Sequence, residues 1–219
     1  MSFPQPARHT SPRPGPELIV TEPGSRPHDA FAVVAIASSA GGITALSEVL
    51  GGLPAELPVP VLIVQHLDPR HKTVIAEIMA RRTKLPVQLA REGDRAEAGT
   101  VYIAPPNYHL LIGPDHVLSL SSSELVHFVR PSADLLFESV AGAYGPQAIA
   151  CVLTGSGSDG GMGVSAVKAR GGTVIVQDPQ TAEFRSMPDT AVRAGAVDFI
   201  LPLDEIAHVI AGLVQADQP

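Results

Sequence analysis

Residues 30–42 read AFAVVAIASSAGG, an unbroken apolar run that closes on Ser38-Ser39-Ala40-Gly41-Gly42. Residues 42–50 continue as a helix, with Leu46, Val49 and Leu50 on one face. Apolar strands that lack polar alternation are covered by helices on both sides of their sheet. The same strand-turn-helix unit recurs along the chain. Residues 59–64 predict a second strand and residues 73–82 a helix with Ile75, Ile78 and Met79 apolar. In the last third, strands are expected at 148–153, 173–176 and 198–201, and helices at 161–170, 188–194 and 203–215. The fold this predicts is α/β: a doubly wound, mainly parallel sheet with helices on both faces.

The middle of the chain reads differently. Residues 87–90, 100–103, 109–112 and 116–120 are short strand-like segments with Gly and Pro between them, and Gly113-Pro114-Asp115 has the composition of a hairpin turn. A small antiparallel β excursion is expected here. Residues 132–143 then return to a helix, with Leu135, Leu136, Ser139 and Val140 facing inward.

Composition narrows the classes of function. A chain of 219 residues is long enough for one large domain with a substantial core. Its net charge is −7 and it carries no basic run, which argues against a nucleic-acid partner. No apolar stretch approaches the ~20 residues that span a bilayer, so no membrane insertion is expected. The first 26 residues lack the apolar core of a signal peptide, and cytoplasmic residence is the expectation. Residues 1–28 hold seven prolines and little apolar periodicity, which predicts a disordered tail ahead of a domain at 29–215. Cys151, the single cysteine, lies within an apolar run and reads as a buried, inert thiol.

Three polar clusters end predicted strands: Ser38-Ser39-Ala40-Gly41-Gly42, Gln65-His66 and Gly157-Ser158-Asp159-Gly160. In a parallel α/β sheet, loops at the carboxyl ends of the strands share one crevice. A hydroxyl, an imidazole and a carboxylate meeting there would make a serine-hydrolase triad of Ser39, His66 and Asp159. The turn at Ser39 resembles a nucleophile elbow, although Ala37 stands where G-x-S-x-G has its first glycine. Two other readings compete. Ser38 or Ser39 would serve equally as a helix cap, and His66, Asp68 and His71 are N and O donors that suit a metal. A third alternative is a dinucleotide site, because Gly155, Gly157 and Gly160 satisfy G-x-G-x-x-G and Asp178 follows at the distance of a ribose-binding acid. Against it, Asp159 would set a carboxylate in the turn that receives pyrophosphate, where like charges repel.

Several blocks in order carry a family likeness: IASSAGG (36–42), IVQHL (63–67), YIAPPNYHLL (102–111), FVRPSADLLF (128–137) and LTGSGSDGGMG (153–163), then Gln177-Asp178-Pro179 and Ser186-Met187-Pro188. Over roughly residues 30–213 the chain resembles the catalytic domain of CheB-type chemotaxis protein-glutamate methylesterases. The resemblance implies a Rossmann-like domain with Ser39, His66 and Asp159 as the triad and no metal or organic cofactor. It also implies hydrolysis of γ-glutamyl methyl esters on methylated chemoreceptor cytoplasmic helices, and deamidation of receptor glutamines. Backbone N–H groups of Ala40 and Ser156 are the expected oxyanion donors, and Arg130 and Met187 the expected substrate contacts. Arg70 and Arg185 are further candidates for steering an acidic helix. Where the family often has threonine this chain has Ala40, and Ser156 replaces a frequent methionine. Residues 1–28 are too short for the family's receiver domain, so a separate regulatory protein is the expected substitute. A non-catalytic receptor-binding module is the remaining alternative.

Overall fold

The computed structural model describes residues 32–67 and 73–216. The expected tail, and with it Asp68, Arg70 and His71, lies outside the described residues. In chain order the strands are β1 (Val33–Ser38), β2 (Val61–Gln65), β3 (Val87–Leu89), β4 (Val101–Ile103), β5 (His109–Ile112), β6 (Leu118–Ser121), β7 (Ala148–Val152), β8 (Thr173–Gln177) and β9 (Phe199–Leu201). The helices are α1 (Gly42–Gly52), α2 (Ile75–Ala80), α3 (Ala133–Tyr144), α4 (Gly161–Ala169), α5 (Ser186–Arg193) and α6 (Leu203–Ala216).

Seven strands make one sheet in the order β3-β4-β2-β1-β7-β8-β9, with every pairing parallel. Side-chain alternation along β1 divides the core. Val33, Ala35 and Ala37 join the layer under α3, α4 and α5, whereas Val34 and Ile36 join the layer under α1 and α6. All five are fully buried. Each large aliphatic side chain buried this way contributes about 1.5–3 kcal/mol, and that burial fixes the strand register. The doubly wound expectation holds.

The middle segment departs from expectation in one respect. Only β5 and β6 are antiparallel, joined through the turn at Gly113–His116, where Gly113 N–H donates to Val117 O (3.0 Å). β3 and β4 pair parallel with each other and extend the main sheet beside β2 (Val87↔Val101, Val61↔Val101). Short segments bounded by Gly and Pro carry no local mark of direction. Here residues 90–100 supply the crossover that a parallel pair requires, and Val101 and Ile103 bury completely between their neighbours. Helix α2 is also shorter than residues 73–82.

β1 is the point where strand order reverses: the chain moves from β1 to β2 on one side and later returns to β7 on the other. A crevice opens at the carboxyl ends of strands on either side of such a point.

Candidate active site

The three strand ends at this crevice are stitched together. Ser39 N–H donates to Thr154 O (3.1 Å), and His66 N–H donates to Ser38 O (3.1 Å). Gln65, 3% exposed, makes the junction rigid. Its Oε1 accepts from Ser38 Oγ (2.7 Å), and its Nε2 donates to the carbonyls of Ser39 and His66, each at 2.8 Å. One amide therefore fixes the backbone of both candidate reacting residues. The chain turns into α1 directly beyond Ser39, and a Cβ at Gly42 would fall 2.1 Å from Gln65 Oε1. The sequence reading treated Gln65 only as a neighbour of His66. Its signal was there: an uncharged polar side chain closing a strand that is otherwise wholly apolar.

His66 and Asp159 meet across 93 positions, with Nε2 2.9 Å from Oδ2. The ring orientation that commits Nε2 to the carboxylate leaves Nδ1 as the second ring nitrogen. Ser39 ends the strand next to that of His66, and strands in a sheet lie ~4.8 Å apart. Among the described residues no hydrogen bond joins the Ser39 hydroxyl to His66. Such bonds are often formed only when substrate is bound. The structure thus brings the histidine and the acid into contact and sets the serine on the adjacent strand end.

Asp159 is 3% exposed and lies against the amino terminus of α3. Besides His66, it accepts from Ser132 Oγ (2.9 Å) and from the amides of Ala133 (2.6 Å) and Asp134 (3.1 Å). Burial pushes its carboxyl up. The hydrogen bond from His66, the two amides and the attraction of the imidazolium pull it down further, leaving it below the ordinary carboxylate value. Asp159 therefore stays ionised and can hold an imidazolium.

A second carboxylate mirrors the first. Asp134, in the first turn of α3, accepts from the amides of Gly160 (3.0 Å) and Gly163 (2.7 Å) at the start of α4, and pairs through Oδ2 with His127 Nε2 (3.0 Å). Asp159, just before α4, caps α3, and Asp134, just inside α3, caps α4. Burial raises the Asp134 carboxyl above its ordinary value; the Gly163 amide works against this, and the charge of Asp159 adds to it. The sign of the pH effect follows. Between the unfolded value near ~3.9 and the raised folded value, the native state binds more protons, so Asp134 adds stability as pH falls. Asp159 does the reverse, losing its contribution as pH falls through its depressed value. Asp134→Asn keeps an oxygen for the two amides and cannot titrate. Subtracting its denaturation free energy from that of the native sequence across pH 3–7 should leave a difference that changes only above about pH 4.

The two amides expected to bind an oxyanion, those of Ala40 and Ser156, carry no other hydrogen bond among the described residues, and they follow Ser39 and Gly155 on neighbouring loops. Met187 is 1% exposed and packs behind the site rather than lining its opening. Its N–H donates to Gly155 O (3.0 Å), and its Sδ would lie 2.2 Å from a Cβ at Gly155. That Cβ would also sit 2.9 Å from Ser39 Cβ. Gly155→Ala is accordingly expected to displace Ser39 and lower any turnover that depends on its hydroxyl at least about tenfold, measured as kcat, with the cooperative fold retained. Arg130 is likewise engaged in structure. It donates to Asn107 Oδ1 (2.7 and 3.2 Å) and to the carbonyls of Ser122 (2.7 Å) and Ser123 (2.5 Å). Arg185 is paired with Asp189 at 2.7 Å. Arg185 is thus ion-paired, whereas the Arg130 partners are all neutral and hold its guanidinium in place without cancelling its charge.

The dinucleotide alternative fails on the same geometry. The amides at the start of α4 that pyrophosphate would need are held by Asp134, with the Asp159 carboxylate beside them. Asp178 Oδ1 accepts from Gln180 N (2.8 Å) in a local turn. Cys151 is fully buried and burial pushes its thiol far up, so it has no thiolate to offer.

Comparison with known proteins agrees with the fold. The CheB methylesterase family profile matches residues 34–210. The crystal structure of the Thermotoga maritima CheB methylesterase catalytic domain superposes with a TM-score of 0.81 at 34% identity, covering 85% of this chain and 100% of that one. A Leptospira interrogans protein whose name joins protein-glutamate methylesterase and protein-glutamine glutaminase is 40% identical over 84% of this chain and 96% of its own length. A Methanosarcina mazei protein with both activities in its name is 42% identical, and the match takes in 84% of this chain but 52% of that protein. The chain belongs to the CheB methylesterase family, a family of hydrolases.

Proposed function

We propose that the chain hydrolyses γ-glutamyl methyl esters on the cytoplasmic helices of chemoreceptors, with Ser39 as nucleophile, His66 as base and Asp159 as the acid that orients it. The observation that carries this reading is the 2.9 Å contact between His66 and Asp159 beside the strand end that bears Ser39. His66 Nδ1 takes the Ser39 proton as Oγ attacks the ester carbonyl. Asp159, held ionised, accepts from Nε2–H and stabilises the imidazolium. The free amides of Ala40 and Ser156 receive the developing oxyanion, where preorganised donors act most strongly. The imidazolium then returns its proton to the departing methoxide, and methanol leaves. Water, deprotonated by the same nitrogen, attacks the acyl-enzyme and releases glutamate. Deamidation of glutamine follows the same steps with ammonia as the leaving group.

No helix among the described residues is long and apolar enough to cross a membrane, which suits an enzyme that meets receptor helices from the cytoplasm. The test is methanol release from membranes bearing methylated chemoreceptor, together with labelling of the chain by a fluorophosphonate. Release above the uncatalysed rate, with label on Ser39, supports the reading. A chain that neither releases methanol nor takes the label removes it, and favours a non-catalytic receptor-binding module.

A further inference from the structure

Phe128 is 95% exposed, more than any other large apolar side chain among the described residues. It is displayed by a tight turn. Val126 and Val129 exchange both backbone hydrogen bonds (3.2 and 2.9 Å), and the two residues between them, His127 and Phe128, have φ of 50° and 65°. A turn with both central residues in the left-handed region is normally built from Asn and Gly. Here a histidine and an aromatic residue occupy it, although bulky side chains disfavour that backbone. Strain of this kind persists only where the surroundings enforce it.

The surroundings do enforce it. His127 is tied to the Asp134 carboxylate at 3.0 Å, and Arg130 draws the loop onto Asn107. His109 closes its base, meeting Glu124 O through Nε2 (3.0 Å) and accepting the Ser132 amide at Nδ1 (3.1 Å). The turn is therefore a held projection. Leu125, also exposed, widens its apolar tip. Ser132, whose hydroxyl lies 2.9 Å from Asp159, is the fourth residue after Phe128. That length of chain reaches at most ~14 Å, which keeps the turn near the His66–Asp159 pair.

We infer that Phe128 is a docking prong that seats in an apolar hollow of the helix carrying the esterified glutamate. This rests on the esterase reading above and adds the feature by which the site recognises a protein rather than a small ester. Aromatic anchors that bury wholly on binding dominate interfaces of this kind, and a turn whose backbone is already fixed has no loop to order when it docks.

The experiment compares the unaltered chain, Phe128→Ala and Phe128→Leu on two substrates: membranes with methylated chemoreceptor, and 4-nitrophenyl acetate. For Phe128→Ala, KM on receptor membranes should rise about tenfold or more, with kcat and the rate on 4-nitrophenyl acetate unchanged. Phe128→Leu should recover most of the loss. An unchanged KM on the receptor, with the unaltered chain active, would overturn the prong and leave the esterase reading standing. Equal losses on both substrates would show that the turn serves only to hold Asp134 and Asp159. Loss of a concentration-dependent dimer in sedimentation, with KM unchanged, would assign the prong to a second copy of this chain and also overturn the proposal. Absence of methanol release by the unaltered chain would end both readings.

Discussion

Ser39→Ala is expected to lower methanol release from methylated receptor membranes by roughly 10⁴-fold or more while the fold persists. Removing Oγ deletes the only atom of Ser39 that attacks, and no neighbouring residue offers a replacement: Ser38 is fully buried with its hydroxyl committed to Gln65. The structural cost should be small. The backbone bonds that hold Ser39, from its N–H to Thr154 and from Gln65 to its carbonyl, do not involve its side chain. Among the described residues the hydroxyl partners nothing that would be orphaned. A thermal melt within a few degrees of the unaltered chain should accompany the loss of turnover. Near-normal turnover in this variant would take Ser39 out of the chemistry, whatever the state of His66.

The second large effect belongs to Asp159→Asn, where catalysis and stability should fall together. An asparagine amide donating to His66 Nε2 would force the proton onto Nδ1, the nitrogen proposed to accept from Ser39. A tautomer reversal of this kind costs about 10⁴-fold in turnover. The structural penalty arises because both carboxylate oxygens are acceptors of two bonds. Oδ2 serves His66 and the Ala133 amide, and Oδ1 serves Ser132 Oγ and the Asp134 amide. Whichever way the asparagine turns, its NH₂ faces a backbone N–H. Leaving such a buried donor unpaired costs about 1–3 kcal/mol. The variant should therefore lose kcat far beyond KM and melt at lower denaturant, measured by methanol release and by urea unfolding. Stability equal to the unaltered chain would mean that the amino terminus of α3 does not depend on this carboxylate.

Much of the fold was legible because its strands are long apolar runs. β1, β2 and β7 are buried on both faces, and glycine pairs such as Gly41-Gly42 and Gly160-Gly161 mark the start of the following helix. Ser39 and His66 stood out because each directly follows a buried apolar strand, and Asp159 because it sits in the loop between β7 and α4. What local sequence did not carry was direction in short strands, so β3 and β4 passed for parts of a meander. Nor did it carry partnership across distance. An acid in a first helical turn, as at Asp134, is a common and weakly informative choice. Its link to α4 and His127 depends on how two helices pack. Arg130 and Met187 were picked as substrate contacts from their motif, yet side-chain burial and pairing spend the one on Asn107 and the other on Gly155. These are properties of tertiary placement that no pattern of residue types encodes.

The crossed anchoring of α3 and α4 by Asp159 and Asp134 bears on how this enzyme is lost under stress. The group that steers the imidazole is also a pin in the joint between two load-carrying rods. It cannot drift out of alignment by itself, because moving it frees the amino terminus of α3 at the same time. Chemical competence and architectural integrity are thereby one quantity in this protein: it is whole and poised, or it is undone.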